Sequence, residues 1–228
     1  LLEDFFIAGN GVQGMDYMMQ IMPSLLDGLK MTIGVFALTL IGSVPLGILV
    51  ALALKSDIFL LRWVTNGYIW VMRGTPLLLQ IVFVYYGLSL AHIVTFPRFE
   101  AAVITFIINY AAYFAEIFRG GLQSIPQGQY DGAKVLGLTR WQTMRKIVLP
   151  QVVKIVMPSV GNEVVTLVKD TSLVYVIGLG DLMRAGNIAA SRDVTLAPYL
   201  LVGLLYLILT AVATVLLRRI ETNMNYYR

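Results

Sequence analysis

An all-α integral membrane protein with five transmembrane helices is the fold class this 228-residue chain predicts. The chain is 58% hydrophobic and only 13% charged, and its mean hydropathy of +0.77 lies far above that of an ordinary soluble domain. Three gaps between charges, from Lys30 to Lys55, Arg73 to Arg98 and Asp193 to Arg218, each hold 24 uncharged residues. A helix needs only ~20 mostly apolar residues to cross the ~30 Å hydrocarbon layer. Two further apolar stretches are long enough to span, but one carries Glu116 and Arg119 and the other Glu163, Lys169 and Asp170. The spans are expected near 28–54, 64–91, 99–122, 151–179 and 195–219, in one transmembrane domain over 1–228, with a cytoplasmic loop at 124–150.

An odd number of spans puts the termini on opposite sides, and the Lys/Arg bias says which. The segment before the first span carries Glu3, Asp4, Asp16 and Asp27 against Lys30, which places the N-terminus outside. Lys55 and Arg62 follow the first span; Lys134, Arg140, Arg145, Lys146 and Lys154 follow the third; Arg218, Arg219 and Arg228 follow the fifth. Those segments, and the C-terminus, are expected in the cytoplasm. The remaining loops balance, Arg98 against Glu100, and Arg184 and Arg192 against Asp181 and Asp193. A soluble helical core would have no reason to alternate in this way. Glu3 and Asp4 also stand where a signal peptide needs positive charge, so none is expected there.

Composition excludes several chemistries. There is no cysteine, and His92 is the one histidine, so thiolate sites, histidine metal clusters and a triad are ruled out. No G-x-x-x-x-G-K-[ST] loop occurs, and 178–186, GLGDLMRAG, lacks the dinucleotide-binding spacing. No cofactor is expected in this chain, and no nucleic acid. The Met-rich 15–22, MDYMMQIM, is expected to form an amphipathic entry helix on the outer surface rather than a metal site.

The polar segment 131–150, DGAKVLGLTRWQTMRKIVLP, has the grammar of two short helices. A helical run over 129–136 reaches Gly137, where a left-handed cap is wanted; Thr139 can cap a second helix over 140–149, closed by Pro150. Val135, Leu136, Leu138, Trp141, Met144, Ile147 and Val148 offer more apolar surface than two short helices can bury between them, so part of it must dock elsewhere.

The same segment resembles the EAA loop of ABC-type importer permeases: E-A-A, three residues, G, nine residues, I, one residue, L-P. Asp131, Gly132 and Ala133 stand in the triplet, and Gly137, Ile147, Leu149 and Pro150 fall in register. Residues 73–80 (RGTPLLLQ), 109–129 and 168–182 are similar to further stretches of the polar amino-acid branch, the histidine- and glutamine-type permeases, so the likeness covers roughly 20–222. The resemblance implies a type I ABC importer permease fold in a bacterial plasma (inner) membrane, with no covalent chemistry in the chain. It implies two ABC ATPase subunits that bind ATP and Mg, a second permease copy, identical or related, and an extracytoplasmic amino-acid-binding protein. It makes the loop the ATPase-coupling element, through Asp131, Gly132, Ala133, Gly137, Leu138 and Arg140. Five helices are few to enclose a solute path, which independently favours a dimer.

Ionisable groups inside a span cost about 2.5–3.5 kcal/mol each and usually face a bundle interior or cavity. Asn109, Tyr113 and Glu116 share one helical face. Asn109 and Tyr113 suit a polar solute, with helix-to-helix bonding the equal alternative for Asn109. Glu116 and Arg119 read as a neutralising pair, structural or gating. Glu163, Thr166 and Asp170 share a second face, and Asp170, Thr171 or Ser172 is expected to cap a new half-helix whose N-terminus holds a carboxylate, while Glu163 or Asp170 holds an ammonium. A packing pair of Lys169 with Asp170 or Glu163 is the alternative. Over Glu116, Arg119, Glu163, Lys169 and Asp170 the nominal charge is minus one, which suits a zwitterionic or basic amino acid. Pro76, behind Arg73, Gly74 and Thr75, is expected to break span two, and Tyr85, Tyr86, Tyr226 and Tyr227 to anchor at the interface. The rival function is an ion-gradient-driven transporter of a small polar solute; it predicts an inverted repeat, and none is visible.

Overall fold

The computed structural model describes residues 11–223, with side chains from 16 onward. Glu3, Asp4, Tyr226, Tyr227 and Arg228, and the side chain of Met15, lie outside the described residues. Among those described, the elements are all helical: α1 (Gly11–Leu54), α2 (Phe59–Gly74), α3 (Leu77–Leu90), α4 (Arg98–Gln123), α5 (Gln127–Val135), α6 (Arg140–Ile177), α7 (Leu182–Asp193) and α8 (Ala197–Asn223). α1, α4, α6 and α8 are long and apolar enough to cross a membrane, and α2 and α3, bent by 106° at their break, pass the same test only as a pair, which makes five if the pair is one span. The break falls where the sequence placed it. Thr75 is extended (φ −120°, ψ 146°), as the residue before a proline must be.

Two expectations about boundaries give way. The Met-rich segment is no separate entry helix but the first turns of α1, because Ile21 and Leu25 are buried in a core with Leu182, Ala189 and Val202 and so keep the helix propagating. Likewise Pro150 does not close a helix. The turns Met144–Val148 widen to π geometry just before it, and the α-helix runs on from Leu149 to Asp170. Widening at that point accommodates a residue that donates no N–H and crowds the carbonyl four residues back.

The described helices fall into two compact units. Among the described residues, the first comprises 11–39, Leu78–Thr105 and Thr166–Val212. Its core is the Ile21, Leu25, Leu182, Ala189, Val202 cluster. Gly28 lets the α1 backbone reach the start of α7: a Cβ there would lie 2.7 Å from the Asp181 carbonyl oxygen. One turn on, Thr32 Oγ1 accepts from the Leu182 N–H at 3.1 Å. Tyr17 donates its hydroxyl to Asp193 at 2.7 Å and ties the early turns of α1 to the end of α7.

The second unit comprises, among the described residues, Leu40–Leu77, Phe106–Val165 and 213–223. Ala51, Leu54, Ile69, Ala112 and Ala115 pack α1, α2 and α4 together, and Ile125, Val148, Val152 and Val156 form a second cluster that holds the base of the polar segment.

Candidate functional site: a structured loop and a charge cluster

The loop around Gly137 is built from local rules. At the end of α5 the Gly137 N–H donates to Lys134 O and the Leu138 N–H to Ala133 O, both at 3.0 Å, with Gly137 at φ +70°. This is a Schellman stop, and Gly137 is the residue that must turn left-handed. Two residues later α6 starts with a capping box: the Gln142 N–H donates to Thr139 Oγ1 at 3.3 Å, and the Thr139 N–H to Gln142 Oε1 at 2.9 Å. Stop and start sit two residues apart, so the turn is tightly defined.

Burial divides the loop's apolar residues in two. Val148 is fully buried, with Met144 packed against its cluster. Val135, Leu136 and Trp141 are 87%, 76% and 67% exposed. The buried residues fix the loop to the bundle, and the exposed ones lie in sequence on either side of the Gly137 turn. In the triplet, Asp131 is exposed and accepts from Gln127 Nε2 at 3.2 Å, Gly132 is open, and Ala133 is buried. Arg140 is exposed at the start of α6, and Leu138 is half-buried.

Inside the second unit the structure gathers Arg73, Asn109, Tyr113, Glu116 and Arg119. Glu116 accepts from Arg119 Nε at 3.1 Å and Nη2 at 2.6 Å, while Arg73 Nη1 lies 3.7 Å away. The Arg73 guanidinium stands 5.3 Å over the Tyr113 ring. Asn109, 3% exposed, donates from Nδ2 to the Met72 carbonyl at 3.0 Å. The shared face of Asn109, Tyr113 and Glu116 therefore meets the last turn of α2, immediately before the Thr75–Pro76 break. Glu163 belongs to this unit and is half-buried.

Thr166, Lys169, Asp170 and Thr171 belong to the first unit. Thr171 is buried, Thr166 and Asp170 are half-buried, and exposed Lys169 opens on a cavity of about 370 Å³ shared with Tyr199 and Tyr206. The expected half-helix at 170–172 does not form. Thr171 Oγ1 donates back to Val168 O at 2.6 Å and Ser172 Oγ to Lys169 O at 2.8 Å, so the hydroxyls tighten the helix into 3₁₀ turns over Thr171–Ile177 instead of capping a new one. The new N-terminus comes after Gly178, at Asp181.

In the sequence Asp181 reads only as a loop charge. Its carboxylate is fully buried and caps α7, accepting from the N–H groups of Met183 at 2.9 Å and Arg184 at 3.2 Å. Burial pushes its pKa up to about 6, against the opposing pull of the two N–H donors and Arg184. An Asp directly before a helical run was the signal available. At the far end of α7, Asp193 is held down near 2, first by its bond to Arg192 and then by Tyr17.

Residues 43–226 match the family described as binding-protein-dependent transport system inner membrane component. The glutamine transport system permease protein GlnP of Escherichia coli strain K12 is 38% identical over 205 residues, covering 89% of this chain and 94% of that protein. The arginine transport system permease protein ArtQ of Bacillus subtilis strain 168 is 35% identical over 204 residues, covering 89% and 93%. Among solved structures, an amino acid ABC transporter crystallised with histidines is similar at a TM-score of 0.86 and 33% identity, over 95% of this chain and all of that one. The chain therefore belongs to the inner-membrane components of binding-protein-dependent transport systems, multi-pass permease subunits of ABC importers whose ATPase is a separate subunit.

Proposed function

We propose that this chain forms the membrane path for a polar or basic amino acid, moved inward by ATP hydrolysis in its partner. The observation that carries the coupling half of this reading is the Gly137 turn, with Val135, Leu136 and Trp141 exposed beside it on a loop otherwise rooted in the bundle. The amino-acid half is supported by the glutamine, arginine and histidine in the names of its relatives.

In this reading the N-terminus lies outside and the C-terminus in the cytoplasm, and two permease copies, identical or related, work with two ATPase subunits that bind ATP and Mg. Tyr113 and Glu163 in the second unit, and Thr166 and Asp170 in the first, are the candidate solute contacts, whereas Asn109 and Thr171, buried and bonded to Met72 O and Val168 O, serve packing. Arg73, Pro76, Glu116, Arg119 and Lys169 set the conformation of the path: the three-charge cluster at the end of α2 neutralises Glu116 and steadies the helix beside its break. ATPase closure would push the loop through Asp131, Gly132, Ala133, Gly137, Leu138 and Arg140, and the rooted residues would pass the movement into α4 and α6. Membership of an ATP-driven family argues against the ion-gradient alternative.

Uptake of a labelled amino-acid panel into liposomes holding the permease, its ATPase and its binding protein tests the reading. It predicts entry of one polar or basic class, only with ATP. Uptake that ignores ATP and follows an ion gradient would contradict it.

A further inference from the structure

The docking loop is not only a projection; it also contains a hollow. A cavity of about 500 Å³ lies among Tyr130, Lys134, Leu138, Arg140, Thr143 and Met144, between α5 and the first turns of α6. Tyr130, Leu138, Thr143 and Met144 are half-buried or buried, and both cations are exposed. Lys134 and Arg140 thus flank the Gly137 turn, one from each helix.

Neither cation has a carboxylate within ion-pair distance among the described residues. The loop's own carboxylate, Asp131, bonds to Gln127. Over 127–150, Lys134, Arg140, Arg145 and Lys146 face Asp131 alone, four positive charges to one negative. Two cations on one hollow repel, and an incoming carboxylate relieves that repulsion while the planar Arg140 fork takes it through two N–H donors. On the same loop, Val135, Leu136 and Trp141 supply exposed apolar surface of the kind an interface needs. Val135 and Leu136 follow Lys134 directly and Trp141 follows Arg140, so a partner that reaches the two cations meets these exposed residues too.

We infer that this cavity is a socket for an acidic side chain of the ATPase subunit, so that loop and ATPase interlock in both directions. The inference rests on reading the loop as the ATPase docking element. Association of the full permease in lipid nanodiscs with its ATPase, measured from low to high salt, tests it for the native chain, Lys134→Gln/Arg140→Gln and Arg140→Lys. The native complex should weaken with salt. The double variant should bind about tenfold more weakly at low salt and lose most of the salt dependence, whereas Arg140→Lys should keep that dependence. If the native chain binds its ATPase and the double variant matches it in affinity and salt slope, the socket is overturned while docking stands. If the double variant instead loses only the binding of inorganic phosphate to the permease alone, the cavity is a free-anion site and the inference fails. A native chain that does not bind its ATPase at all sinks the docking reading itself.

Discussion

Asp181 illustrates how much one buried carboxylate can matter in a chain this apolar. Folding removes it from water and raises its pKa from an ordinary 3.8 to about 6, so the folded state favours the protonated form. Its contribution is complete below about 3.8 and is lost as the pH rises through about 6, the reverse of a salt-bridged aspartate. Thermal unfolding in detergent should therefore show the native protein losing up to about 3 kcal/mol relative to Asp181→Asn between pH 4 and pH 7. A difference that stays flat with pH would mean that the carboxyl is not buried as described. The residue scale also marks where sequence reading stops. Gly137 and Thr139 announced themselves because their partners lie within four residues. The meeting of Arg73 with Glu116 depends on how α2 packs on α4, which no local pattern encodes.

At the scale of elements, the same division recurs. Spans were legible because lipid imposes a length and a composition, and the α2/α3 break was legible because proline constrains its neighbour. The continuous α1 and α6 were not. In each, a polar or proline-marked segment was held helical by contacts distant in sequence: Leu25 against Leu182 for α1, and Val148 with Ile125 for α6. The capping box at the start of α6 should be worth about 1 kcal/mol. Thr139→Ala removes the acceptor for the Gln142 N–H, and hydrogen exchange at that amide should accelerate about fivefold. Unchanged exchange would show that the loop is held by its apolar contacts alone.

For the whole molecule, orientation is the first commitment of the account. The chain has no cysteine, so single cysteines report cleanly. Val194→Cys, at a site 92% exposed after α7, should be labelled by an impermeant thiol reagent from outside intact cells; Val135→Cys, at a site 87% exposed on the docking loop, should react only after the membrane is opened. The opposite pattern would invert the topology. The central claim is that the Gly137 turn carries the ATPase's movement into the spans. A β-branched residue there must adopt φ +70° at a cost of about 1–2 kcal/mol or let the turn shift. The most direct measurement is ATP hydrolysis and amino-acid uptake, side by side in proteoliposomes, for the native chain and Gly137→Val. Hydrolysis that persists while uptake per ATP collapses is the predicted result; uptake per ATP equal to the native value, in a folded complex, would contradict the mechanical role of the turn.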